Sequence, residues 1–512
     1  MAGLAFLWFG RLVNFALCLD KLRRIIRFNF PYLYDMQRRD FYKNTLLTGA
    51  GIAAAPLINA FGEPWMDGVT PLMGNRFVTL CIMIRTSPWE VSRDVKLINR
   101  DEGFAHTLEV VRGMREAFAK NNPGGRLTWG FTLNALEDKR QNYVDIRKYV
   151  VDCQARYGDE VSYFPGYFPA MYLPRERVNR EMSEAIAEIS GLVGHGYRPD
   201  CIMGGFLSAN NLAYLAEKEN IHVAHAVIWS QHEVDGGGAD GSLSYPYYPS
   251  REHFCKPAQG TSDFIDCVSL DGWSVDFLNA TISGGIRGTT PYNGTNSRRG
   301  VGPIESYGEW GLDIGDLSVQ YTQSMHFDRG FELNGFGWIP NIWEAALAKI
   351  PERQNPWWDD TFAYRMMERW VGSTLKRWPD VKFVTFGEYG KAWREHFRSN
   401  DSLNYRFEEK GLGIGSSWGD QEIRWFMNRD FRLALLRNWH KNTPEMVIDF
   451  TRYDLPAKEP GDPTPAHPVK DWSLMNRINQ KGLRPQDAPV LISQLTNEEK
   501  GLIARHYPEL MR

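Results

Sequence analysis

The chain of 512 residues contains few cysteines, and none of them form a metal-binding pair. The six cysteines stand singly, at positions 18, 81, 153, 201, 255 and 267, with no C-x-x-C spacing. Zinc sites and small disulfide frameworks both depend on cysteines at short, regular spacings. The sequence therefore predicts neither a structural zinc site nor a disulfide scaffold.

An excess of charge of either sign is also missing. Lysine and arginine together number 59, aspartate and glutamate 62, and the formal net charge is −3. A nucleic-acid-binding surface depends on clustered lysine and arginine, and the sequence shows no such cluster. We therefore expect no nucleic-acid partner.

Long apolar runs are absent as well. Residues 4–19 are interrupted by Arg11 and Asn14, and the run is shorter than the roughly 20 residues that a spanning helix needs. Residues 46–58 form a run that is shorter still and rich in glycine and alanine. We predict no stable membrane span in the mature protein, with a membrane-associated helix at 4–19 as the alternative.

Residues 36–62 have the layout of an export signal. A basic segment with Arg38, Arg39 and Lys43 precedes the weakly apolar run at 46–58, and a short polar segment follows that run. The basic segment reads R-R-D-F-Y-K, which resembles the twin-arginine signal R-R-x-F-x-K, whereas a surface helix with a chance arginine pair is the alternative. We predict that translation starts at Met36, that residues 1–35 are a mis-called upstream extension, and that the protein is periplasmic or extracellular.

Apolar strand-like runs alternate with amphipathic helical runs from residue 75 to 399. Strands are predicted at 76–85, 127–133, 161–164, 200–204, 223–229 and 381–386, with helices at 104–120, 142–157, 175–193, 212–220 and 358–378. Such alternation predicts an α/β fold with a parallel sheet, and this many units favour a (β/α)7-8-type barrel. The alternation stops near residue 400, so residues 400–512 are predicted to form a small, mostly-β accessory domain.

The middle of the chain resembles the polysaccharide deacetylase superfamily. The order E-V-S-Y-F-P-G-Y-F-P, then R-E-R-V-N-R-E-M-S-E-A-I-A-E-I, then P-D-C-I-M-G-G-F-L-S is similar to the family's layout over roughly residues 75–230. This resemblance implies a (β/α)7-type barrel and a carbohydrate substrate. The chain also resembles large exported proteins of unknown function from gut Bacteroidetes.

The metal motif of that superfamily is missing. The family's first strand ends in paired aspartates, whereas this one ends I-M-I-R-T-S with Arg85, and the stretch equivalent to H-x-x-x-H has no histidine. An open catalytic metal site needs about three protein ligands. We therefore predict no metal, no cofactor and no metal-dependent deacetylation.

Three acids follow predicted strands or close them. Reactive groups in such barrels lie at the carboxyl ends of strands, and two carboxylates across a sugar suffice for glycoside hydrolysis. Each acid has a structural alternative as a helix cap or a partner in an ion pair. The predicted catalytic residues are Glu388, Asp235 and Glu344.

Aromatic residues make up 13% of the chain, with 18 tryptophans, which suits a cleft that stacks sugar rings. Each candidate tryptophan can equally be a core residue, and a lone loop histidine is more often solvated. The predicted substrate-binding residues are Trp229, His232, Trp273, Trp338 and Trp343. We predict an exported, metal-independent glycoside hydrolase acting on an oligosaccharide or polysaccharide; the alternative is a non-catalytic glycan-binding protein on a degenerate barrel.

Overall fold

The structure is a computed structural model that describes residues 69–91, 95–226, 241–271, 323–348, 361–410, 420–466 and 489–512. The predicted upstream extension and export signal at 1–62 lie outside these residues. So do Trp229, His232, Asp235 and Trp273.

Eight parallel strands form two sheets in the first part of the described chain. One sheet has the order β3-β2-β1-β7, with β8 also paired to β1, and the other has the order β4-β5-β6. The strands are β1 Arg76–Ile84, β2 Thr128–Phe131, β3 Glu160–Tyr163, β4 Ile202–Met203, β5 Val223–His225, β6 Val268–Ser269, β7 Gly337–Glu344 and β8 Lys382–Val384.

The nine α-helices in this part of the described chain include the five predicted ones, whose ends differ from the prediction by up to four residues, and four that were not predicted. The nine are α1 Leu108–Asn121, α2 Leu133–Glu137, α3 Gln141–Tyr157, α4 Pro169–Tyr172, α5 Arg175–Val193, α6 Ala209–Glu217, α7 Phe331–Asn334, α8 Phe362–Arg377 and α9 Phe386–His396. The predicted α/β class with a parallel sheet is confirmed. The described strands do not form a closed barrel, so closure stays a prediction.

Helix α5 shows why the periodicity worked. Its buried residues recur at helical spacing, and the polar residues between them lie on the outer face. The buried set is Val178, Met182, Ala185, Ile186 and Ile189. One long amphipathic stripe therefore determined both ends of the helix from the sequence alone.

Helix α1 begins later than predicted. Its N-cap is Thr107, whose side chain accepts a hydrogen bond from the Val110 amide, so the helix excludes residues 104–106. A threonine before an apolar-periodic stretch is an ordinary N-cap signal. The correction matters because the residues before Thr107 form a loop beside the carboxyl end of β1.

Helix α9 lies at the amino-terminal ends of several parallel strands. The Phe386 amide donates to Thr128 Oγ1 at 3.1 Å, and the Gly387 amide donates to Glu160 Oε2 at 3.1 Å. Gly390 packs so closely on Val223 that an added Cβ would lie 2.3 Å from a valine methyl group. Thr128, Glu160 and Val223 are the first residues of β2, β3 and β5, so α9 covers the end of the sheet opposite the strands' carboxyl ends.

An antiparallel sheet of order β12-β11-β10-β9 follows. Its strands are β9 Asn404–Lys410, β10 Gln421–Asn428, β11 Phe431–Asn438 and β12 Met446–Arg452, and the helix α10 Asn497–His506 follows them. Trp425 and Met427 belong to the main core, whereas Phe426 faces a second core with Leu502 and Ile503 of α10. An antiparallel sheet thus lies in the region predicted to be mostly β, and its alternating side chains attach it to the main core on one face. The bounds 400–512 of an accessory domain stay a prediction.

Arg432 ties this sheet to the parallel strands. Its side chain is fully buried, and it donates to the Ser242 carbonyl at 2.7 Å and to Asp449 Oδ2 at 2.6 Å. Nearby, the Tyr453 hydroxyl donates to the Gly241 carbonyl at 2.9 Å. The antiparallel sheet thus holds the segment that precedes β6.

Candidate functional site

The carboxyl ends of β1 and β7 bring a glutamate and an arginine together. Parallel pairing sets Met83 opposite Glu344, and Arg85 follows the last residue of β1. Arg85 Nη1 lies 2.7 Å from Glu344 Oε2, with the arginine side chain 2% exposed and the glutamate 19% exposed. Glu344 is therefore a partly exposed strand-end carboxylate held by a buried cation.

A second carboxylate contacts the same guanidinium. Arg85 Nε lies 2.7 Å from Glu102 Oε2, and the Glu102 side chain is 7% exposed. The loop that carries Glu102 is anchored where its amide donates to the Thr86 carbonyl at 2.8 Å. Burial raises the pKa of Glu102, and Arg85 partly offsets that effect. No pattern in the sequence pointed to Glu102, because a loop contact has no periodicity.

Two carboxylates also act on the arginine. Burial opposes the charged form of Arg85, but Glu344 and Glu102 more than compensate and raise the pKa of its guanidinium. Arg85 therefore stays a cation at the strand ends. In the sequence Arg85 appeared only as a departure from an aspartate pair, yet it is the centre of this cluster.

Glu90 shapes the turn that follows Arg85. Its Oε2 accepts hydrogen bonds from the amides of Thr86 and Ser87 at 2.8 and 2.9 Å, and its Oε1 accepts from Asn134 Nδ2 at 3.1 Å. A carboxylate that accepts backbone amides in this way fixes the local chain direction. Glu90 therefore holds the backbone turn that follows Arg85.

His106 is buried close to the same cluster. Neither of its ring nitrogens has a hydrogen-bond partner among the described residues, and its ring stacks on Tyr143 at 6.2 Å. The Tyr143 hydroxyl donates to the Arg85 carbonyl at 2.7 Å. Burial, with Arg85 and Arg140 nearby, lowers the pKa of His106 well below its usual range, so this histidine is neutral at pH 7.

Asp271 is a strand-end acid that was not predicted. It follows β6 by two residues, is fully buried, and accepts hydrogen bonds from the Ser242 hydroxyl and from the Ser244 amide, the latter at 2.6 Å. The signal was present as V-S-L-D, a short apolar run closed by an acid. Its hydrogen bonds organise the segment that Arg432 also holds.

Glu388 lies at the opposite end of the strands from Glu344. It is the third residue of α9, where it accepts from the Thr385 amide at 2.9 Å while its own amide donates to Thr385 Oγ1 at 3.0 Å. Its Oε1 also lies 2.7 Å from Arg126 Nη2. The structure thus shows Glu388 in the roles of the helix-cap and ion-pair alternative, away from the strand end that carries Glu344.

The two candidate tryptophans that the structure describes are core residues. Trp338 is 5% exposed, stacks on Tyr389 of α9 with ring centroids 4.3 Å apart, and donates to Thr79 Oγ1 at 3.1 Å. Trp343 is 3% exposed and stacks on Trp370 of α8 at 5.6 Å. The structure therefore corrects their assignment as sugar platforms, because neither offers an open ring face.

Glu160, at the amino-terminal end of β3, is a fully enclosed carboxyl with a raised pKa. It accepts from the amides of Asp200, Cys201 and Gly387 and from Thr128 Oγ1, at 2.8–3.1 Å. Burial, together with the negative charge of Asp200, raises its pKa from 4.5 to about 7. This shift belongs to the junction with α9 rather than to the strand-end cluster.

Glu160 should make the stability of the protein depend on pH. The folded state binds its proton more tightly than the unfolded state, so this contribution is largest below pH 4.5 and is lost as the pH rises through about 7. The free energy of unfolding should fall by an amount on the order of 3 kcal/mol over that range. Urea unfolding of the parent and of Glu160→Gln measures it; an equally steep fall in the variant would contradict the assignment.

The described residues contain neither a cluster of metal-ligand side chains nor a helix that could cross a membrane. No group of three or more histidine, cysteine, aspartate or glutamate side chains in this part of the chain could hold a metal ion. Within the same residues, no helix has both the length and the apolar character to cross a membrane.

Two family models match the chain. The domain of unknown function DUF3863, described as having a solved structure, matches residues 70–427, and the domain of unknown function DUF3864, described likewise, matches residues 432–510. The boundary between the two matches falls between β10 and β11, inside the antiparallel sheet. No curated protein sequence matches the chain.

A solved structure from Parabacteroides distasonis is similar over most of the chain. It is described as a "putative glycoside hydrolase/deacetylase", shares 66% identity at a TM-score of 0.78, and the alignment covers 86% of this chain and 99% of that one. GH57-type branching enzymes from Pyrococcus horikoshii and Thermococcus kodakaraensis align at 13% and 12% identity with a TM-score of 0.36. These alignments cover 63% and 62% of this chain and 71% of each of theirs.

Proposed function

The chain belongs to the DUF3863 family, and we propose that it is a carbohydrate-active enzyme, a metal-independent glycoside hydrolase. The observation that carries the proposal is Glu344, a partly exposed carboxylate at a strand's carboxyl end, 2.7 Å from buried Arg85. Active sites of parallel α/β barrels lie at that end of the strands. The description of the Parabacteroides distasonis relative names the same class of enzyme.

Glu344 has the surroundings of a nucleophile or base rather than of an acid. Glycoside hydrolases use one carboxylic acid to protonate the leaving oxygen and one carboxylate as nucleophile or base. A neighbouring guanidinium stabilises the ionised form of a carboxylate, which is the form that the second role needs. Asp235, which lies outside the described residues, remains the predicted partner.

We propose a metal-independent enzyme because of the positive charge at the carboxyl end of β1. Arg85 stays a cation there and both of its carboxylate partners are engaged. A divalent cation at the same place would face that positive charge and would compete for the same oxygens. The family resemblance to metal-dependent deacetylases therefore does not extend to this strand end.

A glycan-binding protein without catalysis is the second candidate. Glu388 lies at the far end of the strands, so the pair of Glu344 and Glu388 is not assembled. A site with a single usable carboxylate could still bind a sugar through hydrogen bonds. The proposed ligand is in both cases an oligosaccharide or polysaccharide.

A glycan panel separates these functions. The purified protein is incubated with acetylated and non-acetylated oligosaccharides, and released reducing ends, released acetate and ligand-induced changes in melting temperature are measured. Release of reducing ends that persists in chelator supports the hydrolase. Acetate without reducing ends would indicate a deacetylase, and stabilisation without either product would indicate a binding protein.

Export through the twin-arginine pathway is proposed from the sequence alone. Replacing Arg38 and Arg39 with lysine should retain the protein in the cytoplasm, because the pathway's receptor reads the arginine pair. Fractionation followed by immunoblotting measures the location, and a conventional secretory signal fused to the same chain serves as the control. Continued export of the lysine variant would favour a general secretory signal or a membrane-associated helix at 4–19.

A further inference from the structure

One guanidinium is shared by two carboxylates from different segments of the chain. Arg85 Nη1 contacts Glu344 of β7, and Arg85 Nε contacts Glu102 of the loop before α1, each at 2.7 Å. We propose that Glu102 and Arg85 are positioning residues that orient Glu344 and place one shared positive charge beside it. This inference rests on the proposed catalytic role of Glu344.

The orientation of the cluster is held from both sides. The Arg85 carbonyl accepts the Tyr143 hydroxyl at 2.7 Å, which fixes the backbone from which the guanidinium extends. Glu102 is fixed by two backbone hydrogen bonds. Its amide donates to the Thr86 carbonyl, and its carbonyl accepts from the Ala105 amide at 3.0 Å. Because the Arg85 backbone and Glu102 are both anchored, the Arg85 guanidinium has little freedom to move. Its Nη1 group therefore donates to Glu344 from a fixed direction.

The attraction between Arg85 and Glu344 depends on how the positive charge of Arg85 is shared between Glu344 and Glu102. Glu102 competes with Glu344 for Arg85, and the negative charge of Glu344 in turn disfavours ionisation of Glu102. Glu102 therefore weakens the hold of Arg85 on Glu344. Removing Glu102's charge should strengthen that hold, whereas removing Arg85 should abolish it.

The other titratable groups near the cluster do not replace Arg85. Glu90 adds negative charge near Glu102, and its own oxygens are engaged by Thr86, Ser87 and Asn134. His106 is neutral, because it is buried close to Arg85 and Arg140. Arg140 is occupied by Asp101 and Asp138. Arg85 is thus the cation that contacts Glu344 among the described residues.

The test measures kcat/KM against pH in two variants. The acid limb of the profile is expected to move in opposite directions in the two. Glu102→Gln should move that limb to lower pH by about one unit, and Arg85→Gln should move it to higher pH by a similar amount. Arg85→Lys retains a cation and should restore the limb while activity stays reduced. Asp101→Asn is the matched control, since Asp101 adjoins Glu102 but is 60% exposed and pairs with Arg140.

A substrate-free readout keeps the inference testable if a variant is inactive. The difference in melting temperature between the parent and Glu344→Gln, followed against pH, reports ionisation of Glu344 in the folded protein. The midpoint of this difference should move to lower pH in the Glu102→Gln background. An unchanged midpoint, or limbs that move in the same direction in both variants, would overturn the positioning role. Full activity of Glu344→Gln would instead overturn the proposed function.

Discussion

Replacing Glu344 with glutamine should lower kcat/KM on a cleaved glycan by at least about 100-fold. Glutamine keeps the size and the hydrogen-bonding oxygen of the side chain, but it cannot act as nucleophile or base. Arg85 keeps its second carboxylate, Glu102, so the buried cation is not left unpaired. Initial rates at matched folded concentration measure the loss.

Glu388→Gln is the matched control for this experiment. Both glutamates pair with an arginine at 2.7 Å, but Glu388 lies at the amino-terminal ends of the strands, where it completes the capping box with Thr385. Its replacement should leave kcat/KM within about twofold, because glutamine also completes a capping box. The loss of the partly exposed ion pair with Arg126 should cost no more than about 1 kcal/mol of stability. The opposite pattern, with activity lost at Glu388 and kept at Glu344, would place the chemistry at the other end.

Arg432→Met should lower the free energy of unfolding by about 3–5 kcal/mol, the cost of breaking a fully buried ion pair. The change leaves Asp449 without its 2.6 Å guanidinium contact, and both side chains are fully buried. It also removes the donor to the Ser242 carbonyl, beside the segment that Asp271 organises. Urea unfolding followed by tryptophan fluorescence and by circular dichroism measures the loss.

Arg437→Met is the control on the same strand. Arg437 pairs with Glu422, but its side chain is 33% exposed, so its loss should cost no more than about 1 kcal/mol. If the two variants lose equal stability, burial is not what gives Arg432 its effect. If Arg432→Met unfolds in a separate first transition, the antiparallel sheet unfolds independently of the parallel strands.

Part of the site could be predicted from the sequence. Glu344 was identified because it closes an apolar run, and an acid in that place lies at the carboxyl end of a parallel strand. His106 was missed because the apolar pattern predicted a helix from residue 104, and Glu102 was missed because a loop contact has no periodicity. The cap at Thr107 places His106 in the same loop as Glu102, which folds back on Arg85.

The sequence by itself determined the local elements and their class. The helical stripe of α5 and the buried run of β1 are properties of neighbouring residues, so their period alone predicted them. The same holds for the alternation that produced the parallel sheet and for its end near residue 400. Each of these features depends on side-chain spacing within one segment.

Only the tertiary structure decided which strand end each glutamate occupies. Strand β8 pairs with Phe77–Thr79, the amino-terminal part of β1, so the helix after it lies across the amino-terminal ends of the strands. Strand β7 pairs along β1 as far as Met83, and Glu344 therefore reaches the carboxyl end. Both glutamates follow apolar strands in the sequence, but register is set by distant pairing and packing, which no local pattern encodes.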